Sequence, residues 1–224
     1  MKKKNDEPKI RVYTRKCYPM YIAIYYRMLI HRISQNLSPK EMSFLMGKPL
    51  DFMTKVERIK FIRWMISDFF RTGRSLKIDG IGLLFPSVKA DITETFLYQI
   101  SIKTYEDYVV YDMKKMDSEK EVFIDEFQLI DQKYDINIYQ RYSESEIQEV
   151  RDWLKTVFEE DYFQEGRTPL EIYKKNCVDF ENRVKPIVVL TILHEQVNLK
   201  DFPTIKRVES KSGAYYIATS AVDI

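Results

Sequence analysis

Residues Leu37–Glu57 read LSPKEMSFLMGKPLDFMTKVE, and their order specifies two short helices joined by a tight turn. Ser38 is placed as an N-cap, with Pro39 at the first helical position, where its missing N–H costs nothing. Glu41 follows Ser38 by three residues and completes a capping box. Met42, Leu45 and Met46 fall on one helical face. Gly47 stands where a helix ends in the left-handed conformation that glycine adopts freely. A second helical pattern starts after Pro49 and carries Phe52, Met53 and Val56 inward.

Helices are also expected on both sides. Pro19 opens one through about Gln35. It is apolar almost all round (Met20, Tyr21, Ile22, Ile24, Tyr25, Met28, Leu29), with Arg27 and Arg32 marking an exposed stripe. A further helix over Ile59–Arg71 turns Phe61, Ile62, Met65, Ile66 and Phe69 inward, and Arg58, Lys60, Arg63, Arg71 and Arg74 line its outer side and end.

The run Leu37, Ser38, Glu41, Met42, Ser43, Leu45, Met46, Gly47, Phe52, Met53, Thr54, Val56, Glu57 resembles, without a gap, the helix-turn-helix of the Xre/Cro-repressor type of DNA-binding domain. The motif spans 37–57 within a helical region of about residues 20–71. The resemblance implies a DNA-binding transcriptional regulator with its second helix in the major groove. Lys48, Leu50, Asp51, Thr54, Lys55 and Arg58 would then face DNA, with Lys40 and Arg63 on phosphates.

From Gly73 the pattern changes. GRSLKIDGIGLLFPSV sets Gly73, Gly80 and Gly82 between short β-prone runs, which suggests a hairpin or bulged strand pair. The same order is similar to the helix-to-hairpin junction of HU-type DNA-bending proteins. Residues 92–140 alternate apolar and polar positions, as in Phe96, Tyr98, Ile100, Ile102, and read as an acidic β-meander with turns near Glu106–Asp107 and Asp117–Ser118.

Helix returns at Ser143, which forms a capping box with Glu146 ahead of Ile147, Val150, Leu154, Val157 and Phe158. Gly166 breaks that helix. Thr168-Pro169-Leu170-Glu171 caps a second, and Pro186–Gln196 is read as a third, although IVVLTIL is equally β-prone. TIKRVESKSGAYYIAT then reads as a hairpin turning at Ser210–Gly213. Three helices followed by a hairpin bearing Lys206, Arg207 and Lys211 resemble a winged helix over 144–220. This implies a second DNA contact from those three residues. The overall expectation is an α+β chain: a basic flexible arm (1–17), a helix-turn-helix domain (18–75), an acidic β-rich domain (76–142) and a winged-helix-like domain (143–224).

Charge supports a polyanionic partner. The 224 residues carry a net +2, but residues 1–77 hold 18 Lys and Arg against 6 Asp and Glu, and residues 78–165 hold 9 against 21. The two cysteines, Cys17 and Cys177, are read as free thiols in a reducing compartment, and with two histidines they make no conventional zinc site. The basic N-terminus lacks the apolar run of a signal peptide, and Tyr18–Ile33 is too short and too charged to span a bilayer. No Ser/His/Asp order, HExxH, nucleotide loop or CxxC pair is present, and the carboxylates Glu106, Asp107, Asp112, Asp125 and Glu126 are scattered over turns and a polar strand face.

The reading is a non-enzymatic cytoplasmic protein without cofactor or metal. Its partner is double-stranded DNA, with a homodimer or protein contact through the acidic centre. The alternative is a protein–protein interaction or scaffold protein in which the helix-turn-helix is structural only.

Overall fold

The computed structural model describes residues 7–60, 64–86, 93–133, 138–198, 205–210 and 213–219. In chain order the elements are β1 (Lys9–Cys17), α1 (Pro19–Ser34), α2 (Pro39–Leu45), α3 (Phe52–Glu57), α4 (Ile66–Ser75) and a 3₁₀ turn (Ile81–Leu84). Then come β2 (Phe96–Thr104), β3 (Tyr108–Asp117), β4 (Val122–Gln132), α5 (Ile138–Arg141), α6 (Glu144–Glu159), α7 (Pro169–Asp179), α8 (Pro186–Val197), β5 (Ile205–Ser210) and β6 (Gly213–Ala218). The mixed α+β class expected from the sequence is the one observed.

Contacts divide the chain into two units, Met1–Ser38 with Met53–Tyr134, and Pro39–Phe52 with Asp135–Ile224. The division runs through the helix-turn-helix stretch, so α2 belongs to the second unit and α3, from Met53 on, to the first.

In the first unit, β1 to β4 form an antiparallel sheet in that order. The meander is the one its alternation specified. Tyr98 and Ile100 of β2 and Tyr111 and Met113 of β3 point to one face and are buried, with Phe127 and Leu129 of β4 opposite Met113 and Tyr111. A bulge at Met113/Lys114 shifts the register of β3 on β4. Helix α1 lies against β4, with Tyr25 and Tyr26 ring-to-ring with Phe127.

Four expectations are corrected here. Residues 9–17 are not an arm. They form edge strand β1, paired along its whole length from Lys9↔Thr104 to Cys17↔Phe96. Arg32 marks no exposed stripe, because it is fully buried. The helix expected over Ile59–Arg71 begins at Ile66, and Asp68 caps it by accepting from the Met65 N–H (3.1 Å). Met65 and Ile66 are consequently exposed, and Phe61 and Ile62 lie outside the described residues. Lastly, Gly73 sits within α4, and the following run makes a 3₁₀ turn, with Gly80 before it and Gly82 inside it, that packs back on α4 where strands were expected.

In the second unit, α8 is the centre: Ile187 to Leu190, Ile192 and Leu193 are buried, and α2, α5, α6 and β5 lie against it. Two of the capping boxes form as read: Ser143 Oγ accepts from the Glu146 N–H, and Thr168 Oγ1 from the Glu171 N–H. The β5–β6 hairpin is anchored by backbone bonds from Ala214 to the Gly47 carbonyl, between Tyr216 and Arg167 in both directions, and from Ala218 to the Phe163 carbonyl (2.8–2.9 Å).

Candidate nucleic-acid interface

Helix α3 is six residues long, and its inward side is fixed at its last residue. Phe52, Met53, Val56 and Glu57 are buried, whereas Lys55 is exposed and Thr54 and Arg58 are half-buried. The Glu57 carboxylate accepts from the Tyr111 hydroxyl at 2.8 Å, and its backbone carbonyl accepts from the Tyr25 hydroxyl at 3.1 Å. Arg32 Nε stands 2.6 Å from Glu57 Oε1, an ion pair by distance but not an aligned hydrogen bond. Arg32 Nη1 also reaches Asp131 (2.8 Å) and donates to the Leu37 carbonyl (2.7 Å).

This cluster sets one guanidinium against two buried carboxylates. Burial alone would weaken the Arg32 charge, but Glu57, Tyr111 and Asp131 hold the guanidinium above its ordinary pKa. Burial pushes the Glu57 carboxyl up, against the lowering by Arg32 and the Tyr111 hydrogen bond. Removing Arg32 would leave two buried carboxylates without their cation, whereas removing Glu57 would leave Arg32 with Asp131, so Arg32 is the residue through which the cluster ties α3 to α1 and the sheet.

The second unit brings together residues far apart in sequence. Lys48, Leu50 and Arg207 line one pocket of about 240 Å³, with His194, Pro169 and Tyr216. Gly47, at φ 64°, makes the turn that presents Lys48 and passes its carbonyl to Ala214. Arg207 pairs with Glu209 at 2.6 Å, and the Lys48 ammonium lies 5.5 Å from the Phe52 ring centroid. Burial, then Lys40 and Arg207, lowers the His194 pKa and keeps the ring neutral.

The residues expected to face DNA therefore divide. Lys40, Lys48, Leu50, Asp51, Lys206 and Arg207 belong to the second unit, where Asp51 and Lys206 are exposed. Thr54, Lys55 and Arg58 belong to the first, and the Arg58 guanidinium lies 5.9 Å from the Tyr13 ring centroid. Arg63 and Lys211 lie outside the described residues. His194 was missed, since a lone histidine at the end of an apolar helix carries no signal. Arg32 and Glu57 were read without their partnership. Their separation in sequence hides a pair, although a charged residue inside an otherwise apolar helix is the mark of one.

The described carboxylates of the acidic centre are partly paired and partly exposed, and Glu94, Asp117, Glu119 and Glu126 line a pocket there with Lys115. Asp112 pairs with Lys103 and Asp125 with Lys114, both at 3.1 Å, while Glu106, Asp107 and Glu126 are exposed. Among the described residues no group of three or more His, Cys, Asp or Glu could hold a metal, and no helix is long and apolar enough to cross a membrane. No protein-family model, curated protein or solved structure matches the chain.

Proposed function

We propose that the chain is a DNA-binding regulator that uses the helix-turn-helix stretch, with the β5–β6 hairpin as a second contact. One observation carries this reading. Helix α3 is bound at Glu57 through three buried side chains, Arg32, Tyr111 and Tyr25, while Lys55 is exposed on its other side with Thr54 and Arg58 beside it. A reading helix needs that combination of rigid backing and a polar, cationic front. The pocket that Lys48 and Arg207 line with Glu209 brings two basic residues of the proposed contact together in the second unit, Arg207 being paired with Glu209.

The test is fluorescence anisotropy on a random duplex at two salt concentrations. Binding with Kd of about 10⁻⁶ to 10⁻⁴ M that weakens steeply with salt is expected. No salt-sensitive binding at high protein concentration would remove the reading.

A second reading, docking of a protein partner, is favoured by the open face of the sheet. Ile10 and Val12 on β1 and Ile130 on β4 stand there 55%, 49% and 61% exposed, with the buried Val110 and the Lys103–Asp112 pair between them. Under that reading, charge reversal at Glu106 and Asp107 abolishes capture of the partner and Lys48→Ala does not.

A further inference from the structure

The first unit contains a cavity that the proposed function does not use. It holds about 300 Å³, at the lower end of the range of about 300–1,000 Å³ typical of small-molecule sites. Its floor is dry: Tyr25 and Met28 are 5% and 3% exposed, and Ile22, Ile24 and Val56 are buried around them. The mouth is wet, with Tyr21 57% exposed and Lys16 and Lys60 exposed. Between them stand the rings of Tyr18, Trp64 and Phe69, the last two with centroids 5.0 Å apart.

Charge around the cavity is one-sided. Among the described residues Arg15, Lys16 and Lys60 line it and no carboxylate does. Its wall also contains Ile59, a β-branched residue at φ 46°. Ile59 N–H bonds the Val56 carbonyl and Lys60 N–H the Lys55 carbonyl, so Ile59 takes the left-handed place where glycine ordinarily ends a helix. That conformation is costly for isoleucine, and such strain tends to collect at ligand clamps. Burial also pushes the Cys17 thiol up to about 11, against the lowering by Arg15, which marks a low-dielectric interior.

We infer that this cavity binds a small aromatic carboxylate, its ring among Tyr18, Tyr25, Trp64 and Phe69 and its carboxylate toward Lys16 and Lys60. Aromatic walls favour a ring, which stacks offset or edge-on. The rim, cationic among the described residues, selects an anion over a neutral isostere. A purely apolar guest would leave the rim unused, and a phosphate would leave the ring walls unused. None of its lining residues is among those assigned to the duplex, although Val56 belongs to α3.

The experiment uses the full chain and two probes of equal size, 3-phenylpropanoate and 3-phenylpropan-1-ol. Tryptophan emission is excited where neither probe absorbs, in the wild type and in Trp153→Phe, so that Trp64 reports. Saturable change with the acid, at an affinity about tenfold above that of the alcohol, is expected. The double variant Lys16→Glu/Lys60→Glu, both at exposed positions, should bring the acid down to the alcohol and leave the alcohol unchanged. Absence of a saturable response, equal affinity for the two probes, or indifference of the acid to the charge reversal would each overturn the inference.

Discussion

Arg32 Nε lies 2.6 Å from Glu57 Oε1, with the arginine side chain wholly buried and the glutamate 6% exposed, so the end of α3 is tied to α1 through a pair of charges sealed from water. Breaking such a pair from one side costs about 3–5 kcal/mol, because the remaining charge stays buried and unpaired. Arg32→Ala, which leaves the buried Glu57 and Asp131 carboxylates without their cation, should lower the urea-derived stability of the first unit by that order, and Glu57→Ala, after which Arg32 keeps Asp131, should cost less. Tyr111→Phe, which removes one donor to Glu57, should cost about 1–3 kcal/mol. Lys55→Ala, at an exposed site on the same helix, should stay within about 0.5 kcal/mol. Equal effects at Arg32 and Lys55 would show that the pair holds nothing.

Glu41 is the glutamate of the capping box read in the sequence, and it also reaches α8, where its Oε1 accepts from the Ile187 N–H at 3.1 Å. The N-cap residue of α8, Lys185, makes no side-chain cap of its own. A carboxylate there satisfies an orphan N–H and complements the positive end of the helix. Glu41→Ala should therefore destabilise the second unit by about 0.5–2 kcal/mol, with amide exchange rising at the start of α8. Unchanged exchange at Ile187 would contradict the long-range cap.

Gly166 is required by closeness to a ring. A Cβ built there would sit 2.5 Å from Tyr215 Cδ2 and 2.9 Å from Cε2. Gly166→Ala should cost about 1–3 kcal/mol, and Gly166→Ala in a Tyr215→Ala background should cost far less than in the wild type. Additive losses would refute the clash.

His194 gives stability a defined pH dependence. Its pKa in the folded chain is lowered, first by burial and then by Lys40 and Arg207. The fold therefore prefers the neutral ring. Its contribution is fully present above the unfolded value of about 6.5 and is lost as pH falls through the lower folded value. The stability difference between wild type and His194→Gln should shrink as pH is lowered from about 7. A difference independent of pH would contradict the placement of His194 among cations.

Much of the architecture was legible because short-range chemistry agreed with the final packing. Ser143 with Glu146 and Thr168 with Glu171 announce helix starts that form as read, and the alternation at Phe96–Ile102 announces a strand with one buried face. Residues 9–17 escaped because an edge strand exposed along most of its length needs no apolar alternation: Lys9, Arg11 and Lys16 are exposed there, and pairing with β2 supplies the order. Gly73 misled because a glycine is tolerated inside a helix; a Cβ there would make only an ordinary contact with Ile81 at 3.5 Å. For the candidate interface, each basic residue was identifiable, but no local rule joins Lys48 to Arg207. That juxtaposition comes from the Ala214 N–H bond to the Gly47 carbonyl, a tertiary contact.

The central claim, that α3 presents a cationic front to DNA, is tested most directly by Lys55→Glu in a salt-dependent anisotropy titration on random duplex. The account predicts weaker binding by about tenfold or more, with the salt slope reduced by about 1, and an unchanged urea midpoint, since Lys55 is exposed. Identical affinity and slope for wild type and Lys55→Glu would contradict it.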